Sequence, residues 1–187
     1  MKRFNIFLAI VAVSLLFVTQ CVAQSGRGDG LSIKVQQDAR LALIGDDKGN
    51  DAFTLNPMIT FGLEGYTFGD AFKTNLIILA EYEYADLAGG EYHRWSVGAG
   101  LKMSPFIYAR DVWIFRPSKV SFTPSLQFGF IDRNGVTMTG LGTIDVSYEL
   151  FDGFEAVYSA QWTIRTELKG SPIRYSGMFG VKKTFLL

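Results

Sequence analysis

From Leu31 onward, apolar and polar residues take alternate positions in eight segments, the period of a β-strand whose two faces meet different surroundings. The segments run 31–44, 55–68, 73–84, 92–103, 120–131, 136–150, 154–168 and 173–187. In the first, Leu31, Ile33, Val35, Ala39, Leu41 and Leu43 share a face; in the fifth, Val120, Phe122, Leu126, Phe128 and Phe130 do. Turn-forming residues separate them: GDDKGND after the first, Gly89-Gly90 within an expected loop over 85–91, Asn134-Gly135 after the fifth, and Asp152-Gly153 after the sixth. No helical period interrupts the series. The stretch 104–119 fits least well and is read as strands four and five extended around a turn near Ala109-Arg110-Asp111. Proline cannot donate to a ladder, so Pro57 belongs at a rim and Pro124 requires a bulge or a shifted strand boundary. Eight strands joined in series form an antiparallel up-and-down sheet, and closure into a barrel removes its two edges.

Alternation alone does not say which face is inside. A soluble barrel is apolar within; a membrane barrel is the reverse. The polar face carries Lys34, Asp38, Arg40, Glu64, Lys73, Glu81, Glu83, Arg94, Lys102, Asp145, Glu149, Glu155, Arg165, Glu167, Arg174 and Lys182, eight basic and eight acidic groups. The apolar face carries one full charge, Lys183, and the only histidine, His93. Between the charges stand Gly62, Gly98, Gly100, Gly129 and Gly180 with many Ser and Thr. Small residues mixed with balanced charges suit a narrow lumen, where a buried ion persists only beside a partner. The hairpin registers propose two such pairs, Glu83 with Arg94 and Glu167 with Arg174.

The apolar face also groups its aromatic rings near strand ends, with Tyr82, Tyr84, Trp95, Phe130, Trp162 and Tyr175 toward one end and Phe61, Phe122, Tyr148, Phe154, Phe179 and Phe185 toward the other. Two girdles of this kind mark the interfaces of a membrane barrel.

The first 30 residues carry an address. Lys2 and Arg3 precede an apolar run from Phe4 to Val18, and Cys21-Val22-Ala23 places small residues where a signal peptidase cuts, so residues 1–23 read as a cleaved signal peptide. Lipidation of Cys21 is the alternative, although Gln20 suits it poorly. Residues 24–30, QSGRGDG, read as a flexible arm, in which Arg27-Gly28-Asp29 is a chance triplet, leaving 31–187 as the barrel. A single Cys makes no disulfide, and 18 Lys and Arg against 18 Asp and Glu give no net field to attract nucleic acid.

With these features the chain resembles the small eight-stranded outer-membrane barrels of Gram-negative bacteria, such as the membrane domain of outer-membrane protein A and its short relatives. The resemblance rests on the export signal, the architecture of 31–187 and the closing strand Tyr175–Leu187. It implies residence in the outer membrane, both termini in the periplasm, contact with outer-membrane lipids, and insertion by the barrel-assembly machinery. Family members end in an aromatic residue, whereas here Phe185 is followed by Leu186 and Leu187.

Some barrels of this size modify lipid using His and Ser. His93 and Ser96, three positions apart on one strand, point to opposite faces and form no dyad, so no catalytic residue is assigned. One histidine and carboxylates that alternate with basic partners give neither a metal site nor a cofactor site. Eight strands enclose little more than side chains, which argues against a large pore. The expectation is a monomeric structural, envelope-stabilising or surface-interaction protein. Its contacts would come from the loops 45–54, 85–91, 132–135 and 169–172. A soluble lipocalin-like barrel binding a hydrophobic ligand is the alternative, and a lipid-modifying enzyme a further one.

Overall fold

The computed structural model describes residues 30–46, 49–68, 73–106, 116–133, 135–165 and 173–186. The signal peptide, the arm before Gly30, the turn near Ala109–Asp111 and the Glu167–Arg174 pair lie outside the described residues, wholly or through one partner. The expected extension of the fourth and fifth strands into 104–119 is not seen in its described parts: the fourth strand ends at Lys102, and a 3-10 turn over Pro117–Lys119, where proline opens the turn, precedes the fifth.

Eight antiparallel strands close into one barrel in chain order: β1 (Gly30–Asp38), β2 (Pro57–Phe68), β3 (Thr74–Leu87), β4 (Gly90–Lys102), β5 (Val120–Asp132), β6 (Val136–Phe151), β7 (Phe154–Arg165) and β8 (Ile173–Leu186). β1 pairs with both β2 and β8, so neither edge of the sheet is left open. The alternation read from the sequence produces this closure because each strand buries one set of side chains around a common axis.

Following the pairing from Ile33 through Phe61, Ala80, Val97, Phe128, Gly140, Ile164 and Ile173, and continuing the β8–β1 register, returns to position 43 of the chain instead of 33. This offset fixes the barrel's shape. With strands about 4.8 Å apart and about 3.3 Å of rise per residue, it sets a strand tilt of roughly 40° and a backbone radius of about 8 Å. A lumen of this width is on the scale of the side chains that point into it.

The first expected strand is shorter than the alternation suggested, and a helix does interrupt the series. Asp38 ends β1 and caps α1 (Ala39–Leu43), its Oδ1 accepting from the backbone N–H of Arg40 at 2.8 Å and of Leu41 at 3.1 Å. Ala, Arg and Leu are strong helix formers. Their apolar members at 39, 41 and 43 happened to match a strand period. The β3–β4 loop is also tighter than 85–91: pairing continues through Asp86 opposite Glu91 to Leu87 opposite Gly90, leaving Ala88 and Gly89 as the turn.

Pro57 sits at the rim, opposite Gln37. Pro124 lies inside β5 with neither bulge nor shifted boundary. Continuous β4–β5 pairing stops at Gly100 opposite Ser125 and returns only at Met103 opposite Phe122, so the missing N–H falls in a gap of the ladder.

Candidate functional site

The alternation becomes an inside-out molecule. Lys34, Glu64, Glu81, Glu83, Arg94, Glu155 and Lys182 are buried, whereas Ile59, Val97, Leu126 and Phe128 are exposed on the outer wall, Phe128 to 71%. Lys102, Asp145, Glu149 and Arg174 are half-buried. Asp38 is buried as the helix cap. Two of the expected lumen charges lie elsewhere: Arg40 is exposed on α1, and Lys73 is exposed just before β3 begins. The side chains of Arg165 and Glu167 lie outside the described residues.

Three ionic groups lie in the lumen. Toward the end that carries α1, called the loop end here, Arg94 meets Glu83, its cross-strand partner, at 2.6 Å, and Glu81 at 2.8 Å. Thr60 Oγ1 donates to Glu81 at 3.1 Å, and Ser96 Oγ to Gln127 Oε1 at 2.9 Å. In the second group Lys34 of β1 reaches Asp145 of β6 at 2.7 Å. Ser159 donates to the other Asp145 oxygen at 2.6 Å and Gln36 donates to Ser159 at 2.6 Å. In the third, Lys102 and Lys182 share Glu64 and Glu155 at 2.8 to 3.5 Å. β1 to β6 and β4 to β7 are therefore linked across the lumen and β2 to β8 past the intervening β1, while Lys182 and Glu155 also meet as cross-strand partners of β8 and β7. A cavity of about 20 Å³ beside Lys34, Asp145 and Lys182 has room for about one water molecule.

The lumen is also more apolar than the sequence pattern suggested. Met58, Ile77, Leu79, Leu141, Val157 and Met178 are buried inward residues that stand among the polar phase of their strands. At the loop end, Leu41 of α1 is buried against Ala85, Leu87, Tyr92 and Ile131, an apolar lid above Arg94 and its carboxylates. The strand reading of α1 hid this lid. The Asp-Ala-Arg-Leu-Ala-Leu run, a capping residue before helix formers, was the signal that could have found it.

Several lumen glycines have a steric reason. A Cβ on Gly98, Gly129 or Gly180 would lie 1.8 to 2.0 Å from a carbonyl oxygen of the neighbouring strand. On the outer wall, Trp162 lies against Gly142, where a Cβ would come within 2.1 Å of its ring.

His93 and Ser96 are on opposite faces. Ser96 is buried with Gln127, while His93 faces outward among Tyr82, Tyr84 and Trp95, with Nδ1 2.9 Å from the Tyr82 hydroxyl and its ring stacked on Trp95 at 5.8 Å. This imidazole belongs to the aromatic girdle. Among the described residues no three His, Cys, Asp or Glu side chains converge as a metal would need.

The girdles bound an apolar band. On β7, Phe154 and Trp162 are separated by about 20 Å along the axis at roughly 40° of tilt, close to the ~25 Å band of a membrane barrel. Phe61 and Phe179, expected in the lower girdle, stand nearer mid-band because the pairing rows climb from β1 to β8. Lys183 is on the outer wall as expected; its ammonium donates to the Asp152 carbonyl and lies 4.7 Å from the Phe154 ring centre and 5.9 Å from that of Phe185. It sits at the girdle where a long cationic chain can reach the interface.

No protein-family model and no curated protein matches the sequence. Among solved structures, the outer membrane protein Ail of Yersinia pestis, determined in a phospholipid bilayer nanodisc, is similar over 85% of this chain and all of its own, with a TM-score of 0.51 at 13% identity. The Neisserial surface protein A aligns over 82% of this chain and 92% of its own at 12% identity, with a TM-score of 0.41. A de novo designed transmembrane β-barrel covers 86% of this chain and 98% of its own at 10% identity, with a TM-score of 0.44. At these identities the likeness is one of fold. Closed antiparallel pairing, ions turned to the axis and a greasy coat between aromatic girdles define that fold: this chain is an eight-stranded transmembrane β-barrel of the kind found among small outer-membrane proteins.

Proposed function

We propose that the protein is a monomeric outer-membrane barrel closed to solutes, with a structural, envelope-stabilising or surface-interaction role. The observation that carries this reading is the pair of ion pairs spanning the lumen, Lys34–Asp145 and Lys102–Glu155, with Lys182–Glu64 beside them, beneath the Leu41 lid. A solute path would have to break these charge pairs in a lumen of low dielectric, which is costly. Residues 1–23 act as the export signal. The barrel-assembly machinery inserts the chain with both termini in the periplasm, placing α1 and the tight turns at the cell surface.

The role is assigned to the barrel and its lipid contacts instead of to chemistry. The lumen offers paired ions, and the sole histidine faces lipid, away from Ser96. The lipocalin-like reading requires an apolar lumen, opposite to the observed burial.

Fractionation of the cell envelope, with electrophoresis of heated and unheated samples, tests the location. A compact, heat-modifiable band in the outer-membrane fraction is expected, and a soluble periplasmic protein would refute the reading. Liposome swelling tests closure: sugars should enter no faster than into protein-free vesicles.

A further inference from the structure

The upper aromatic girdle has a gap. β3, β4, β5, β7 and β8 each bring a ring to it, through Tyr84, Trp95, Phe130, Trp162 and Tyr175. β1, β2 and β6 bring none, but β6 still turns apolar Val136 and Met138 outward there, whereas on β1 and β2 the outward residues are Gln37 and Pro57, paired with each other. Over this sector lies the segment that joins the two strands, and it presents Phe53 at 81% exposure and Leu55 at 74%.

Several features hold this segment in place. Gln37 faces outward, and its side chain clasps the backbone on both sides of Leu55: Nε2 donates to the Thr54 carbonyl at 2.9 Å and Oε1 accepts from the Asn56 N–H at 2.8 Å. Leu55 is thereby held exposed two residues before Pro57, where the paired register begins, and its odd number continues the outward series of Ile59 and Phe61. Farther out, the Asn50 side chain accepts from the Ala88 N–H at 2.6 Å, tying the segment to the β3–β4 turn. Phe53 has a φ of 67°, a left-handed backbone unusual for a bulky residue, held while its ring remains exposed. A segment fastened at this many points, yet displaying Phe53 and Leu55 beside the strands and Leu43 and Ile44 at the end of α1, is shaped to place apolar side chains against something apolar.

We propose that Phe53 and Leu55 insert into the outer leaflet of the bilayer, completing the girdle over β1 and β2, so that this loop is a lipid anchor and not a free surface loop. The occupant is lipid because the segment is clasped by Gln37, an outward residue of the apolar wall, and Leu55 continues the outward series of β2. A polar residue facing lipid is normally costly, and the clasp on Gln37 satisfies its amide within the loop. The proposal rests on the membrane-spanning reading.

Nitroxide labels placed one at a time at Phe53→Cys, Leu55→Cys, Asp51→Cys and Phe128→Cys, each with Cys21→Ser, test it in phosphatidylcholine–phosphatidylglycerol vesicles. Heat-modifiable migration establishes that each variant is folded. The ratio of oxygen to nickel-chelate collisions at 53 and 55 should exceed that at 51 several-fold and approach that at 128. If either label matches 51 while 128 stays in lipid, the anchor is refuted and the barrel reading stands. If 128 also matches 51, the membrane-spanning reading fails and the anchor fails with it.

Discussion

Glu83 and Arg94 face each other across β3 and β4, and their side chains meet at 2.6 Å with the guanidinium fully removed from solvent. Arg94 also holds Glu81, so one cation neutralises part of two buried carboxylates. Arg94→Met would leave both acids without a cation and should cost about 3–5 kcal/mol. Adding Glu81→Gln and Glu83→Gln should recover most of that loss. Urea unfolding in phospholipid vesicles, followed by heat-modifiable migration, measures both.

Lys34 and Asp145 bridge opposite walls, so the order of the charges should matter less than their sum. Lys34→Asp alone puts two carboxylates at one point and should destabilise by about 3 kcal/mol, as should Asp145→Lys alone. The double exchange should return to within about 1 kcal/mol of the parent, because Ser159 can accept from a lysine as readily as it donates to Asp145. The same unfolding measurement applied to all four chains gives the coupling. Additive losses would mean that the pair does not meet.

Gly180 is set against the β1 backbone, where a Cβ would lie 1.9 Å from the Val35 carbonyl oxygen, whereas a Cβ on Gly140 would find its nearest neighbour at 3.5 Å, the end of the Ile164 side chain. Gly180→Ala should lower stability by about 1–3 kcal/mol or prevent closure. Gly140→Ala should change it by less than about 0.5 kcal/mol. The fraction of heat-modifiable barrel recovered after refolding into detergent separates the two.

The fold was legible because alternation and charge placement are local records of a two-sided environment. Glu83 opposite Arg94 could be read from the phase of two strands and the residues between them, and the inverted interior followed from where the ions fell. The cross-axis partners could not be read in this way. Lys34 and Asp145 are separated by 111 residues, and their meeting depends on the register offset that accumulates around the whole circle. The Leu41 lid was obscured for another reason: Ala39, Leu41 and Leu43 satisfy a strand period, and only the capping geometry of Asp38 shows that the chain has turned into a helix. By contrast, Ile77 and Leu79 lie in an apolar run that carries no phase of its own, yet Glu81 and Glu83 farther along the same strand fix it and place both inside the barrel, where they are buried.

Leu41 closes the loop end, yet the ion pairs below it cross the lumen independently of it. Leu41→Ala should therefore lower stability by about 2–4 kcal/mol through the lost packing while leaving sugar entry into liposomes unchanged. Rapid swelling with this single variant would place the whole barrier in the lid, and the proposed role of the ion pairs in closure would be wrong.

Leu126 stands 65% exposed on the outer wall of β5, one residue from Gln127, which is buried in the lumen beside Ser96. The two neighbours provide a direct test of which solvent lies on which side. Near mid-band, Leu126→Arg would put a charge into hydrocarbon and should cost about 2–4 kcal/mol in phospholipid vesicles. In water the same change would expose a charge in place of an apolar side chain, with no such cost. Gln127→Leu removes a polar partner of Ser96 without altering the outer wall, and should cost about 1–3 kcal/mol in either medium through the unpaired hydroxyl. Unfolding free energies of the two variants, compared between vesicles of increasing acyl length and detergent micelles, should therefore diverge: the Leu126→Arg loss should grow with bilayer thickness and that of Gln127→Leu should not. A Leu126→Arg chain as stable as its parent in every medium would mean that the exposed apolar wall does not face lipid.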